Sequence, residues 1–158
     1  MEFEVPDEML TRGRPLIPAF DDDESLYRRV PPERFFNLVN GALPLYSIWL
    51  PDASVNREYP NGEPEFVLFD TERGINRNDF GILAFKCKDV PLQEGAISSE
   101  TLAIHTNIEH DPLKKNYYHA EIRVRSKNGE RLTSIPDPFD QEFRIRIRSK
   151  LRVIRDPS

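Results

Sequence analysis

The run YHAEIRVR at residues 118–125 constrains this chain more than any other stretch. Tyr118, Ala120, Ile122 and Val124 fall at every second position, with His119, Glu121, Arg123 and Arg125 between them. That period places the first set on the core side of a β-strand and the second set on its opposite, wetter side. Asn128-Gly129 follows, the preferred signal of a type I′ hairpin, and ERLTSI is expected to return antiparallel.

Other segments point the same way. PLYSIWL at 44–50, EFVLFD at 65–70 and FGILAFKCKDV at 80–90 read as strands, the last two buried on both faces. EFRIRIRSKLRVI at 142–154 alternates again. It sets Phe143, Ile145, Ile147, Leu151 and Val153 against Arg144, Arg146, Arg148, Lys150 and Arg152. SSETLAIHTNI at 98–108 suits either a short helix or a strand, and so does SLYRR at 25–29. Pro31-Pro32 is expected to open a helical turn over Glu33 to Val39, with Phe35, Leu38 and Val39 on one face. Fourteen prolines and seven glycines cut the chain too often for long helices.

The expected fold class is α+β and β-rich: a mainly antiparallel twisted sheet or partly open barrel with one or two short peripheral helices. Residues 1–24 read as an irregular acidic N-terminal segment, and 25–158 as a single compact domain. Asp21-Asp22-Asp23-Glu24 reads as a solvated run that caps a helix from Ser25.

Charge is divided along the chain. Residues 1–113 hold 10 Lys+Arg and 21 Asp+Glu, a balance of -11; residues 114–158 hold 12 and 6, a balance of +6. Such a dipolar chain suits basic strands lying beside acidic segments, or a surface that recognises a charged protein partner. There is no signal-peptide pattern at the N-terminus, no apolar run of membrane-spanning length, and only one cysteine, Cys87. A cytoplasmic protein with no membrane association is the expectation. Cys87, inside an apolar strand, reads as an inert buried thiol.

Three groups of residues are candidates for a site. HDPLKKNYYHAEI at 110–122 offers His110, Asp111, Asn116, His119 and Glu121. His119 and Glu121 share a strand face, about 7 Å apart along it. With Asp111 they are the candidate catalytic groups, a general base beside a carboxylate, or else polar residues that order a loop. The histidine spacing matches no standard zinc pattern, and neither a metal nor a cofactor is expected. Arg28 and Arg29 follow an aromatic and suit a phosphate or carboxylate; equally they suit pairing with Asp21 to Glu24. The comb of Arg144, Arg146 and Arg148 suits a partner protein, or an edge strand kept from aggregating. Nucleic acid is not expected there, because no aromatics are interleaved on the basic face and the whole chain is acidic, with a net charge of -5. No calcium-loop spacing, no GxGxxG and no GxxxxGK[ST] is present.

Taken together, two patches resemble a broad group of small uncharacterised bacterial proteins. These begin near a Leu-aromatic-Arg-Arg-hydrophobic segment, here Leu26, Tyr27, Arg28, Arg29 and Val30. They carry a late Asp-Pro…Asn-x-x-His-Ala-x-hydrophobic segment, here Asp111, Pro112, Asn116, His119, Ala120 and Ile122, with Tyr117 where the group has proline. The resemblance implies a bacterial origin near mobile or antiviral-defence loci, including CRISPR-type loci, and an accessory role. The leading expectation is a non-enzymatic protein-interaction module in such a defence or stress-response system. The alternative is a small enzyme acting on a phosphate-bearing or ADP-ribosyl-type substrate through Arg28 and His119. That alternative requires Arg28, Asn116 and His119 to meet in one pocket. The interaction module requires an exposed apolar patch beside charge.

Overall fold

The structure, a computed structural model, describes residues 3–35, 50–97 and 102–158. Its centre is an antiparallel sheet. The strands in chain order are β1 (Ser25–Val30), β2 (Asp52–Arg57), the short pair β3 (Phe69–Asp70) and β4 (Ile75–Asn76), β5 (Gly81–Lys86), β6 (Glu94–Ile97), β7 (Leu102–His110), β8 (His119–Ser126) and β9 (Arg152–Arg155). Seven of them form the sheet in the order β6-β7-β8-β2-β1-β5-β9, and β3 pairs only with β4. Every pairing is antiparallel, and the sheet stays open. Two α-helices are described, α1 (Pro32–Phe35) and α2 (Asp137–Arg148). The β-rich α+β class expected from the sequence is therefore the one found. Among the described residues, no helix is long and apolar enough to cross a membrane.

β8 carries the alternation into three dimensions. Ala120, Ile122 and Val124 are fully buried in the main core with Leu26, Ala53, Val55 and Phe85. The residues between them are not wet: His119 and Arg123 are each only 9% exposed. Asn128-Gly129 does turn the chain, but not as type I′. Only Gly129 has a positive φ, +87°, and the Gly129 N–H donates to Ser126 O at 2.9 Å. A left-handed glycine closing the turn is the pattern of a three-residue hairpin loop with a bulge. The expected return strand shrinks to one bridge, Arg125 with Arg131.

The largest correction concerns 143–153. Residues 137–148 are the helix α2, not a strand. The segment satisfies two periods at once. Phe139, Phe143 and Ile147 recur every fourth residue, and all three are buried in the main core. Ile145, which alternation would bury, is 63% exposed. Pro138 near the start, Asp137 and Asp140 in the first turn, and Arg146 and Arg148 in the last suit a helix and its dipole. β6 makes room for it at Gly95, where a Cβ would lie 2.6 Å from the Phe139 ring. On a helix Arg146 stands about 200° around the axis from Arg144, so no single-faced comb exists. β9 follows, with Val153 and Ile154 exposed.

Smaller readings are decided or changed as well. SLYRR is a strand, so the acidic run caps no helix, and Glu24 is buried. Residues 64–68 form a 3₁₀ turn before β3, because Pro64 opens it and Phe66, Val67 and Leu68 pack inward without a strand partner. β5 ends at Lys86, and Cys87–Asp89 is a 3₁₀ turn. LAIHTNI lies in β7. Of the strand expected at 44–50, residues 44–49 lie outside the described residues and Leu50 is a bend; the helical turn beyond Phe35 also lies outside them.

The N-terminal segment is held against the loop between β7 and β8. Met9 is fully buried with Phe66, Tyr117 and Tyr118. The Tyr117 N–H donates to Met9 O at 2.7 Å, and the Tyr117 hydroxyl donates to Pro15 O at 2.6 Å. His110 is the pin. Its Nδ1 accepts the Ile17 N–H at 3.0 Å, so Nε2 carries the proton and donates to Tyr117 O at 2.7 Å. The Ile17 contact requires the neutral ring, and burial pushes its pKa below the ordinary 6.5.

Two measurements check this arrangement. Phe143→Ala should cost about 3–5 kcal/mol in urea unfolding, whereas Ile145→Ala should stay within roughly 0.5 kcal/mol. A core strand over 143–153 would make both costly. The unfolded chain takes up a proton at His110 near pH 6.5 and the folded chain resists it. That contribution is complete above pH 6.5 and is lost as pH falls. The midpoint of thermal unfolding should therefore drop as pH is lowered below 6.5, and His110→Gln should flatten that part of the curve.

Candidate ligand-binding site

β1 and β2 are neighbours in the sheet, yet they pair only at Leu26 with Arg57 and at Tyr27 with Asn56. β1 runs on to Val30 along β5, and β2 reaches back to Asp52 along β8. The two central strands therefore part, and the split opens a cleft of about 200 Å³. Arg28, Arg29, Ser54, Asn56, Val67, Phe69, Asp70, Glu72, Asn116 and His119 are among the residues that line it.

The backbone left unpaired by the split is met by arginine. Arg28 Nη1 donates to Ser54 O at 2.8 Å, across the gap. Arg29 Nη1 donates to Val67 O at 3.0 Å, and its Nη2 lies 3.4 Å from Asp70 Oδ2. Asp70 is buried and accepts from the Arg73 N–H at 3.2 Å and from Arg77 Nη2 at 3.1 Å. Burial alone would raise its pKa, but the Arg73 N–H and the Arg29 and Arg77 guanidiniums hold it below the ordinary carboxylate value. Of these three arginines Arg29 lines the cleft, beside Asp70 and Glu72.

His119 enters from the start of β8, opposite Asn56 on β2. Its Nδ1 is 2.8 Å from Asp111 O. A carbonyl only accepts, so Nδ1 carries a proton. Nε2 lies 3.8 Å from Glu121 Oε1, and Nδ1 lies 3.7 Å from Asp111 Oδ2. His119 thus orders the loop through Asp111, as one reading of the sequence expected. The ligating atoms of Asp111, His119 and Glu121 all lie within 4.8 Å of one another. The cation beside the two carboxylates is Arg123: its Nη2 is 2.9 Å from Asp111 Oδ2 and its Nε is 2.8 Å from Glu121 Oε2. Arg123 and Arg125 also bond Glu109, Arg125 most closely. The Arg125 bonds, and after them those from Arg123, outweigh burial and bring the Glu109 carboxyl down to about 2.

Of the residues singled out in the sequence, Arg28, Arg29, Asn116 and His119 meet in the cleft, although about 90 positions separate the arginines from the other two. Asp111 and Glu121 flank His119 without lining it. Arg144, Arg146 and Arg148 are elsewhere, on α2. That helix packs on Leu26, Val55 and Ile122, which alternate along their strands with Tyr27, Asn56 and His119. Arg144 pairs with Asp140 along the helix. Cys87 is buried, and burial pushes its thiol up to about 12, so it is inert at neutral pH. Asn56, Ser54 and Asp70 were not evident in the sequence. Ala53 and Val55 do alternate with Asp52, Ser54 and Asn56, but two small apolar residues make a weak strand signal.

The chain matches no family model, and no curated protein or solved structure is significantly similar to it.

His119→Gln removes the imidazole from Asp111 O and should cost about 1 kcal/mol in urea unfolding, the scale of one hydrogen bond. An unchanged stability would mean that the bond does not order the loop.

Proposed function

We propose that the cleft takes the phosphate-bearing part of a small ligand, of the phosphoryl-sugar or ADP-ribosyl kind, and that His119 acts beside it as an acid–base group. The observation that carries this reading is the meeting of Arg28, Asn116 and His119 in one cleft. Arg28 and Arg29, both lining the cleft, supply the guanidiniums that grip an anionic group. The Asp111 carbonyl holds Nδ1 and fixes the ring of His119, leaving Nε2 as the nitrogen for proton transfer, which is how an acid–base group is oriented. In this reading the protein serves in the bacterial cytoplasm as an accessory enzyme of a defence or stress-response system, in keeping with the resemblance of its two sequence patches.

A second observation favours the interaction module. Val153 and Ile154 on the edge strand β9 are 39% and 43% exposed and lie between Arg152 and Arg155. An exposed apolar pair flanked by positive charge, in the basic part of the chain, suits an acidic partner protein. Neither reading involves nucleic acid.

Calorimetric titration with inorganic phosphate and ribose 5-phosphate separates the two. Binding that weakens by roughly tenfold or more in Arg28→Ala, with unfolding still cooperative, is the expected result. If neither compound binds, the cleft is not a phosphate site and the interaction module takes its place.

A further inference from the structure

Asn56 and Asn116 lie in the cleft with their amides locked together. Asn116 Nδ2 donates to Asn56 Oδ1 at 2.8 Å. The two residues are only 2% and 5% exposed. Asn56 Nδ2 and Asn116 Oδ1 are both buried, and neither has a hydrogen-bond partner among the described residues. Exchanging nitrogen and oxygen in both amides changes nothing essential: the pair always leaves one whole NH₂ group and one carbonyl oxygen unused. Buried polar atoms in native proteins are paired, and an unpaired couple beside a cleft calls for a group that pairs it.

We infer that the Asn56–Asn116 pair reads a ligand edge carrying an acceptor beside a donor, and that the ligand is a nucleoside monophosphate or contains one. This rests on the phosphate-site reading above and names the group that accompanies the phosphate. A nucleobase edge has the required pattern, as adenine does with a ring nitrogen acceptor beside its amino donor. Reaching both amide atoms requires a small shift of side chains, since solvent does not touch them. The cleft's size agrees. At about 200 Å³ it falls below the roughly 300–1,000 Å³ that encloses a drug-sized ligand, so it takes one ring-sized group and leaves the remainder at the mouth. Val67 and Phe69 provide an apolar wall for a planar ring, and Arg28 is placed to meet the phosphate.

The test compares the full chain with Asn56→Asp by titration with adenosine monophosphate, ribose 5-phosphate and inorganic phosphate. Asn56→Asp keeps an oxygen for Asn116 Nδ2 and removes the free amide N–H. The wild-type protein should bind the nucleotide roughly tenfold or more tightly than ribose 5-phosphate, and this ratio should collapse in the variant. Using the ratio cancels the effect of the added charge, which acts on both phosphates. Circular dichroism checks that the variant is folded; should it not be, the wild-type ratio alone decides. If both phosphates bind with Arg28 dependence but without preference for the nucleotide, this inference falls and the phosphate site stands. A preference that survives in folded Asn56→Asp overturns it too. If no phosphate-bearing compound binds, both fall.

Discussion

The buried ion pair of Arg57 and Glu24 holds the parts of this protein in place. Arg57 is 1% exposed. Its Nε and Nη2 each donate to a Glu24 carboxylate oxygen at 2.8 Å. Nη1 donates to Ile17 O at 2.6 Å and Nη2 to Ala19 O at 2.9 Å. The guanidinium also lies 3.9 Å from the centre of the Phe20 ring. Glu24 accepts the Tyr59 N–H as well. A buried pair like this adds little over apolar packing, but removing one partner strands a charge, at a cost of about 3–5 kcal/mol. Its effect is to commit one geometry: the end of β2, the start of β1 and residues 17–19 can meet in only one way.

That geometry sets the position of the cleft. Once residues 17–19 are fixed at Arg57, the chain before them lies across Tyr117 and Tyr118 and reaches His110. The loop joining β7 to β8 is thereby pressed between the N-terminal segment and the sheet. Asn116 and His119 sit at the end of that loop, so their placement beside Asn56 depends on a segment far away in sequence. The other side of the cleft depends on the parting of β1 and β2, which leaves the Ser54 carbonyl that Arg28 satisfies, while Arg29 meets Val67 O of the 3₁₀ turn. The arginines that suggested a ligand are therefore also what closes the exposed backbone.

The sequence made part of this visible. The β8 alternation was legible because Tyr118, Ala120, Ile122 and Val124 are large or apolar enough to mark a core face, and all are buried. The reading failed at α2 because FRIRIR carries the strand period while Phe139, Phe143 and Ile147 carry the helical one. Choosing between them needed the start signals at Asp137 and Pro138, or the space that Gly95 leaves for Phe139. Glu24 was misread for a related reason. An acid in a run of four looks solvated, and only the distant Arg57 makes its burial tolerable.

By itself, the sequence determined the local matters: the β-rich class, the chain reversal at Asn128-Gly129, the inert thiol, and the residue types suited to an anion or a proton. These follow from period, turn chemistry and side-chain inventory, which act over a few neighbouring residues. The tertiary structure alone decided that Arg28, Arg29, Asn56, Asn116 and His119 share one cleft, that an amide pair there lacks partners, and that the arginines of α2 lie apart from it. The order of strands in the sheet and the pairing of buried charges set those relations. Both arise from contacts between residues far apart in the chain, which no local pattern encodes.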